Sequence, residues 1–292
     1  MVKTISELYL DARRALLTQE EPQMASLMAR NLLCHTTGMT HEQVLAKRDL
    51  YVNEDICKEM DAAVQRLMVG EPLPYVLGKW EFYGLDLIVT PDVLIPRDDT
   101  CAVAALAIEQ SLFLDSKPRI LDLCTGSGCI GLAIASRVKD AKVTLADLSQ
   151  EALAVAKQNI VLHHLTGRVS CVRANALEEP PTFLGKFDLI VSNPPYITTR
   201  EMLELPHSVA GFEPRMALHG GDDGLKFYRT IAQNYSKALK SGGYLCFEFG
   251  MGQGDDVCAI LEENGYTILD RTKDYNDRER AVIARYDRKE EE

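Results

Sequence analysis

The segment Ile120-Leu121-Asp122-Leu123-Cys124-Thr125-Gly126-Ser127-Gly128-Cys129-Ile130-Gly131 decides the fold. It has the pattern of an apolar strand, a glycine-rich turn and the start of a helix. Glycines at 126 and 128 let the backbone turn tightly and approach a ligand, and a helix N-terminus presents free N–H groups. The segment therefore predicts an α/β domain that binds a nucleotide-like ligand at this turn.

Strand and helix patterns alternate along the rest of the C-terminal part, which is typical of a parallel sheet covered by helices. We predict a helix over 149–164, which Ser149 can cap, and another over 223–239. The second helix carries an apolar stripe, Leu225, Tyr228, Ala232, Tyr235 and Leu239, that favours a core position. The predicted strands are 119–123, 142–146, 169–172, 187–192, 243–249, 266–270 and 280–286.

The N-terminal part has a different pattern. Residues 1–70 read as short helices, with Thr40 and Gln43 as a capping box, Asn53 opening the last helix and Gly70 following it. Prolines and short alternating segments around Gly84 then predict a β-hairpin linker. We predict three segments: a helical domain over 1–70, a linker over 71–92 and the α/β domain over 93–292. Periodicity does not distinguish a stabilising bundle from a recognition role.

Composition excludes some classes of protein. The 292 residues are 46% hydrophobic and carry a net charge of −11, so a wide basic surface for nucleic acid is not expected. Eight cysteines without a Cys-x-x-Cys pair fit free thiols in a reducing compartment, which favours the cytoplasm. No apolar stretch approaches the roughly 18 residues of a membrane helix, and we expect neither an export signal nor a membrane anchor. The charged tail at 288–292 is expected to be a solvated end.

The glycine turn allows two ligands. Gly126-x-Gly128-x-x-Gly131 matches the dinucleotide fingerprint, and Asp147, nineteen residues past Gly128, stands where a carboxylate would hold ribose hydroxyls. A nicotinamide enzyme is therefore a rival. Asp122, four residues before Gly126, opposes a pyrophosphate but suits a cationic methionine group, directly or through water. This carboxylate favours S-adenosylmethionine over a nicotinamide dinucleotide as the ligand.

A second motif, Asn193-Pro194-Pro195-Tyr196, follows the apolar run 187–192. Proline has no N–H, so this strand end presents acceptors without local donors. The side-chain oxygen of Asn193 and the carbonyl of Pro194 could take both protons of a planar NH2 group, while the ring of Tyr196 lies against its flat face. A plain turn is the alternative interpretation of such a proline pair.

With these motifs in place, the chain resembles the release-factor glutamine N5-methyltransferases over nearly its whole length. Outside the glycine turn and Asn193 to Tyr196, the resemblance includes Gly70-Glu71-Pro72 with Tyr75-Val76-Leu77-Gly78, Glu81-Phe82, Leu94-Ile95-Pro96-Arg97-x-Asp99-Thr100, Glu213-Pro214-Arg215-x-Ala217-Leu218-x-Gly220-Gly221-x-Asp223-Gly224-Leu225, Glu248-x-Gly250-x-x-Gln253-Gly254 and Asp277-x-x-Arg280. The narrower signals among these are the Ile-Pro-Arg and Glu-Pro-Arg blocks with the helical N-terminal domain.

The resemblance implies a class I S-adenosylmethionine-dependent methyltransferase fold, Rossmann-like with a seven-stranded, mostly parallel sheet, a small N-terminal helical domain and a hairpin linker. It implies S-adenosyl-L-methionine as cofactor and class I peptide chain release factors as partners, methylated on the glutamine of their Gly-Gly-Gln loop. The implied cofactor-binding residues are Asp122, Cys124, Thr125, Gly126, Ser127, Gly128, Asp147, Asn175, Ala176 and Asn193. The implied catalytic residues are Asn193, Pro194 and Tyr196, and the implied substrate-binding residues are these three with Pro195. Arg97 is a further candidate for substrate binding, and an internal ion pair is the equal alternative for its side chain.

The chain departs from the family pattern at a few positions: Cys124 where glycine is usual, Asp98 where proline is common, Cys101 in place of a glutamate, and Ala174-Asn175-Ala176 where Ser-Asp and a larger side chain are frequent. Enzymes that methylate amino groups of adenine or guanine in nucleic acid share the strand-end motif and give the alternative function. They should show an added basic domain or an aromatic-rich groove, and neither is visible. A third interpretation is a noncatalytic S-adenosylmethionine-binding partner of translation factors. The displacement itself requires no metal.

Overall fold

The computed structural model of the chain describes residues 2–114 and 117–287, so the predicted solvated end at 288–292 lies outside the described residues. The chain forms two compact units. The first contains the residues up to Lys79 together with His207–Phe212, and the second contains Trp80–Pro206 and the residues from Glu213 onward. Residues 71–79, which the sequence places in a linker, therefore cluster with the helical unit.

The elements follow one another in this order. The N-terminal part contains β1 Lys3–Thr4, α1 Ile5–Leu16, α2 Pro22–Thr37, α3 His41–Ala46, β2 Tyr51–Val52, α4 Glu54–Met68, α5 Leu73–Leu77, β3 Lys79–Phe82, β4 Leu85–Ile88 and α6 Cys101–Leu112. The central part contains β5 Arg119–Leu123, α7 Cys129–Arg137, β6 Lys142–Asp147, α8 Gln150–Leu162, β7 Val169–Arg173, β8 Phe187–Ser192, β9 Ile197–Thr198 and α9 His207–Ala210. The C-terminal part contains β10 His219–Gly221, α10 Lys226–Asn234, β11 Leu239–Glu248, α11 Gly254–Glu263, β12 Tyr266–Lys273 and β13 Glu279–Tyr286.

The first unit confirms the predicted helix signals. Thr40 and Gln43 form the capping box of α3, and the side chain of Asn53 accepts the N–H of Ile56 at the start of α4. Gly70 follows α4 with a φ of +93°, and a Cβ there would lie 3.0 Å from the ring of His207. The close approach explains why a glycine stands at this position.

The predicted hairpin is confirmed by β3 and β4, which pair around Tyr83 and Gly84. Both turn residues have positive φ, 53° and 80°, as a two-residue hairpin turn of type I′ requires. The prolines before the hairpin were interpreted as part of the linker, and the helix α5 over 73–77 was not predicted. Proline is tolerated in the first turn of a helix, where its missing N–H would have no intrahelical acceptor.

In the second unit, seven strands of the described residues form one sheet in the order β12-β13-β11-β8-β5-β6-β7. Neighbours from β11 to β7 run parallel, and β13 is antiparallel to β11 and to β12. All seven predicted strands are confirmed within a few residues. The central strands are buried on both faces, with Leu121, Leu189 and Ile190 fully inaccessible, as expected for strands covered by helices.

The predicted helix over 223–239 is shorter than expected. Gly224 has a φ of +73° and the Asp223 carboxylate accepts the N–H of Leu225, so the helix begins only at Lys226 and ends in a 3₁₀ turn. Its predicted apolar stripe is buried. The other predicted helix, α8, begins as expected after Ser149, whose hydroxyl accepts the N–H of Ala152 at 3.0 Å.

None of the helices in the described part of the chain is both long and apolar enough to cross a membrane.

Candidate active site

Two motifs meet at the centre of the sheet. Strands β5 and β8 are neighbours, and the chain continues from them to opposite sides of the sheet, which is the switch point where open α/β sheets bind ligands. Leu123 pairs with Ser192, whose hydroxyl donates to the Leu123 carbonyl at 2.6 Å. Cys124 and Asn193 therefore open adjacent loops at the carboxyl ends of their strands.

A cavity of about 510 Å³ opens between these loops. The predicted site residues that line it are Cys124, Gly126, Asp147, Asn175, Ala176, Asn193 and Pro195. Those that lie outside its lining are Arg97, Asp122, Thr125, Ser127, Gly128, Pro194 and Tyr196. Sequence reasoning assigned no role to much of the remaining wall, which is formed by Asp92, Leu94, Leu148, Ala174, Pro214, Met216, Lys226 and Phe227. Several of them lie in the quoted motif blocks, but a block does not show which of its side chains face a cavity.

The glycine turn fits a ligand that approaches its backbone. A Cβ at Gly126 would meet no atom within 4 Å, whereas at Gly128 it would lie 3.0 Å from Leu145. At Gly131 it would lie only 2.2 Å from the same side chain. The first glycine thus serves the turn, and the other two allow the helix α7 to pack against β6.

Asp147 at the end of β6 shapes this turn. Its Oδ2 accepts the Gly126 N–H at 2.9 Å and its Oδ1 accepts the Ser149 N–H at 3.0 Å. Each carboxylate oxygen has a second lone pair for a ribose hydroxyl. Burial raises the pKa of this carboxyl, against the effect of the two backbone N–H groups.

Asp122 lies below the turn rather than in the cavity wall. It is fully buried, and its Oδ2 accepts both the Thr125 hydroxyl at 2.6 Å and the Gly131 N–H at 2.9 Å. Its Oδ1 receives no hydrogen bond from the described residues. Burial raises the pKa of this carboxyl to about 7. The unpartnered oxygen is the one feature by which this carboxylate fits a cationic ligand group.

Cys124 is one of the departures from the family pattern, and its backbone conformation is unusual. Its φ is +61°, a left-handed conformation that favours glycine. The left-handed backbone conformation explains why glycine is expected at this position. This chain holds a cysteine side chain in the same conformation. Burial raises the pKa of the Cys124 thiol well above its usual value, so the group stays protonated.

Asn193 is oriented by Thr100, which the sequence analysis quoted in a motif block without a role of its own. Its Nδ2 donates to the hydroxyl of Thr100 at 3.3 Å. Within the described residues, no hydrogen bond reaches Oδ1 of Asn193 or the carbonyl oxygen of Pro194. Both acceptors predicted for a substrate NH2 group are therefore free of internal donors.

The rest of the strand-end loop is held from behind. The hydroxyl of Tyr196 donates to Oε1 of Glu248 at 3.4 Å, and Nε2 of Gln253 donates to the Tyr196 carbonyl at 3.1 Å. Added Cβ atoms at Gly220 and Gly224 would approach the Tyr196 backbone to 2.6 and 2.3 Å. The motif blocks over 213–225 and 248–254 thus support this loop.

Two side chains that were predicted to contact a ligand form internal interactions instead. Arg97 forms an ion pair with the buried carboxylate of Glu213, which also accepts the Ile95 N–H at 3.1 Å. The pair joins the Ile-Pro-Arg and Glu-Pro-Arg blocks. The side chain of Asn175 forms a local turn, accepting the Leu177 N–H at 3.0 Å and donating to Glu178 at 2.9 Å, although Asn175 lines the cavity.

Comparison with known proteins shows the family to which the chain is related. The family model of the PrmC N-terminal domain matches residues 7–78, and that of the methyltransferase small domain matches residues 102–208. A release factor glutamine methyltransferase of Clostridium acetobutylicum is 37% identical over 82% of this chain and 84% of its own length. The chain belongs to the release factor glutamine methyltransferase family.

Another member of the family, from Geobacter sulfurreducens, is 36% identical over 94% of this chain and 95% of its own length. Among solved structures, a methyltransferase of Pyrococcus furiosus matches with a TM-score of 0.51 at 18% identity, covering 77% of this chain and 98% of that protein. This likeness supports the class I methyltransferase fold. The cofactor of this fold and family is S-adenosylmethionine. Residues 2–114 and 117–287 contain no group of three or more side chains arranged to hold a metal ion.

Proposed function

We propose that this protein transfers a methyl group from S-adenosyl-L-methionine to the side-chain amide nitrogen (N5) of the glutamine in the Gly-Gly-Gln motif of class I peptide chain release factors. The carrying observation is the pair of free acceptors, Oδ1 of Asn193 and the Pro194 carbonyl, at the strand end beside the glycine turn. The family membership supports the substrate.

The site residues divide the work as follows. Asp147 and the backbone from Cys124 to Gly128 would hold the ribose and methionine parts of the cofactor, and Ala176 would lie beside the adenine. When bound, S-adenosylmethionine supplies an electrophilic methyl group on a cationic sulfur. The unpartnered Oδ1 of Asp122 supports this assignment, since a buried carboxylate oxygen favours a nearby positive charge.

An amide nitrogen is a poor nucleophile because its lone pair is delocalised into the carbonyl. Two hydrogen bonds, to Asn193 and Pro194, would fix the NH2 group in line with the methyl group and stabilise the positive charge that develops on nitrogen. Tyr196 would cover one face of the amide. Burial raises the pKa of this phenol, so it remains a neutral donor to Glu248. The surplus proton can leave afterwards to water.

We propose further that the helical unit, predicted as 1–70, docks the release factor. In support, several large apolar side chains on this unit are solvent-exposed: Leu10, Met24, Leu27, Leu45, Tyr51 and Val69. Replacing Met24 and Leu27 with serine should raise KM for a release factor several-fold and leave kcat unchanged. An unchanged KM would contradict this role.

The free state of all eight cysteines supports a reducing compartment, and we propose the cytoplasm.

A transfer assay tests the function. Labelled S-adenosylmethionine is incubated with the protein and a class I release factor, the same factor with its Gly-Gly-Gln glutamine replaced by alanine, duplex DNA, ribosomal RNA or buffer, and the label is located by mass spectrometry. We expect methylation only of the unsubstituted release factor, on that glutamine. Label in adenine or guanine would establish the alternative function, and label nowhere would leave a binding protein without turnover.

A further inference from the structure

A mostly buried polar cluster lies behind the strand-end loop and meets the cavity at Asn193. It consists of Thr100 before α6, Asn193 after β8, Tyr196 in the loop and Glu248 at the end of β11. Thr100 is 2% exposed and Glu248 is 1% exposed. Buried polar groups are costly unless their hydrogen bonds are satisfied, so the direction of each hydrogen bond here is strongly constrained.

The hydroxyl of Thr100 has an unusual role for its place in the chain. Threonine at the start of a helix normally caps it, yet this side chain caps no backbone N–H of α6. It accepts a hydrogen bond from Nδ2 of Asn193 instead, at 3.3 Å. A hydroxyl has one proton, so Thr100 needs an acceptor of its own.

The carboxylate of Glu248 is the group to which we assign this role. Its Oε1 accepts the hydroxyl of Tyr196, while its Oε2 is buried and receives no hydrogen bond from the described residues, which leaves it open to a donor. Thr100 also acts on this carboxyl to lower its pKa, which favours the ionised form. An ionised carboxylate only accepts, so a Thr100 hydroxyl that donates to it can only accept from Asn193.

From these contacts we propose that Thr100 and Glu248 are positioning residues that set the orientation of the Asn193 amide, keeping its Nδ2 towards Thr100 and its Oδ1 towards the substrate NH2 group. Were the amide reversed, Nδ2 would face the substrate and present donors to donors. The inference rests on the proposed function, in which Oδ1 receives a proton of the glutamine amide.

The charge on Glu248 gives this device a pH dependence. Burial raises the pKa of Glu248 to about 7, against the effects of Thr100 and the Arg280 guanidinium. A protonated Glu248 could donate to Thr100, which would then donate to Asn193 and favour the reversed amide. The other titratable groups that act on Glu248 or respond to it are Asp99, Cys101, Cys129, Tyr196 and Tyr228.

Two substitutions reverse or remove the hydrogen bonds with little change of volume. In Glu248→Gln, the introduced amide keeps its oxygen towards the Tyr196 hydroxyl and turns its NH2 towards Thr100, which reverses the next two bonds. Thr100→Val removes the hydroxyl, and Thr100→Ser restores it. Ser111→Ala removes another buried hydroxyl, which donates to the Ala107 carbonyl at 2.6 Å in the same helix, and is the matched control.

The first readout is transfer to a release factor at saturating substrates. We expect kcat to fall about 100-fold in Glu248→Gln and Thr100→Val, the usual cost of one preorganised polar contact. Thr100→Ser and Ser111→Ala should keep at least half of the wild-type kcat, and the dissociation constant of S-adenosylhomocysteine should stay within about twofold throughout. A merely structural role would move stability and cofactor affinity together with kcat.

The second readout does not depend on turnover. The side-chain NH2 resonance of Asn193, identified by its loss in Asn193→Asp, should shift in Glu248→Gln and Thr100→Val but not in Ser111→Ala. In the wild type it should titrate with a midpoint near pH 7, and in Glu248→Gln it should not titrate. If the wild type fails to methylate a release factor while this resonance behaves as expected, the proposed function fails and the positioning role stands. If Glu248→Gln keeps the wild-type kcat, or its resonance is unshifted, the positioning role is overturned.

Discussion

The backbone N–H of Gly126 donates a 2.9 Å hydrogen bond to Oδ2 of Asp147, which ties the glycine turn after β5 to the end of β6. The carboxylate therefore shapes the turn before any ligand arrives. A group that both binds a ligand and holds the backbone that surrounds it reduces the ordering that binding requires.

Replacing Asp147 with alanine should therefore weaken cofactor binding through two losses at once, the ribose acceptor and the tether of Gly126. A hydrogen bond to a charged group contributes about 1.5 to 3 kcal/mol, so we expect the dissociation constant of S-adenosylmethionine to rise about 10- to 100-fold. Isothermal titration calorimetry measures it. Asp140→Ala, at an exposed position, is the control. Equal affinity in the two variants would contradict the role of Asp147.

Asn193→Ala should abolish transfer with a modest effect on folding. Among the described residues the side chain makes one hydrogen bond, to Thr100, whereas its Oδ1 is proposed to accept a proton of the substrate amide. In a single-turnover assay with bound cofactor and release factor, the rate of methyl transfer should fall about 10² to 10³-fold. Normal single-turnover chemistry in this variant would rule out the assignment, and urea unfolding would show whether the fold is intact.

The sequence predicted the sheet well because its signals are local. Each strand is an apolar run bounded by turn residues, and the two loops of the site follow from strands 119–123 and 187–192. The short helix α5 was missed since Pro72 and Pro74 were interpreted as linker residues. A proline is compatible both with a linker and with the first turn of a helix, and only tertiary packing decides between the two.

Non-local partners were beyond prediction. Nothing near Arg97 in the chain indicates that it pairs with Glu213, more than a hundred residues away, and the sequence left a substrate contact and an internal pair equally open. The same holds for Thr100 beside Asn193 and for His207–Phe212, which joins the helical unit from far along the chain. Such contacts depend on the tertiary fold rather than on spacing.

Cys124 offers a test of backbone strain. A side chain in the left-handed conformation costs about 1 to 3 kcal/mol, and glycine avoids that cost while losing about 0.5 to 1 kcal/mol through its freer unfolded chain. We expect Cys124→Gly to be about 1 kcal/mol more stable than Cys124→Ala, measured as the free energy of unfolding in urea. Both variants lack the thiol, so their difference isolates the backbone. An alanine variant at least as stable would show that φ is not strained there.

Asp122 gives the fold a pH dependence of defined sign. Its pKa is raised from 3.8 to about 7 by burial in the folded protein, so between about pH 4 and 7 the folded state binds more protons than the unfolded state. The free energy of unfolding therefore falls as pH rises through this window, by at most about 4 kcal/mol for a shift of three units. Asp122→Asn removes this contribution because an amide does not ionise in this pH range. The side-chain oxygen of the introduced asparagine can still accept the hydrogen bonds of Thr125 and Gly131, so the local structure is kept.

Urea unfolding at pH 5.0 and 7.5 measures the effect. We expect the wild type to lose more stability than Asp122→Asn over this interval, while the part due to Glu248, whose pKa is also raised to about 7, persists in both proteins. The double variant with Glu248→Gln should lose least. Equal losses in the wild type and Asp122→Asn would mean that Asp122 stays ionised below pH 5. The carboxylate, with its unpartnered Oδ1, would then stay negatively charged in the folded protein, and the proposed attraction for a cationic cofactor would act across the whole physiological pH range.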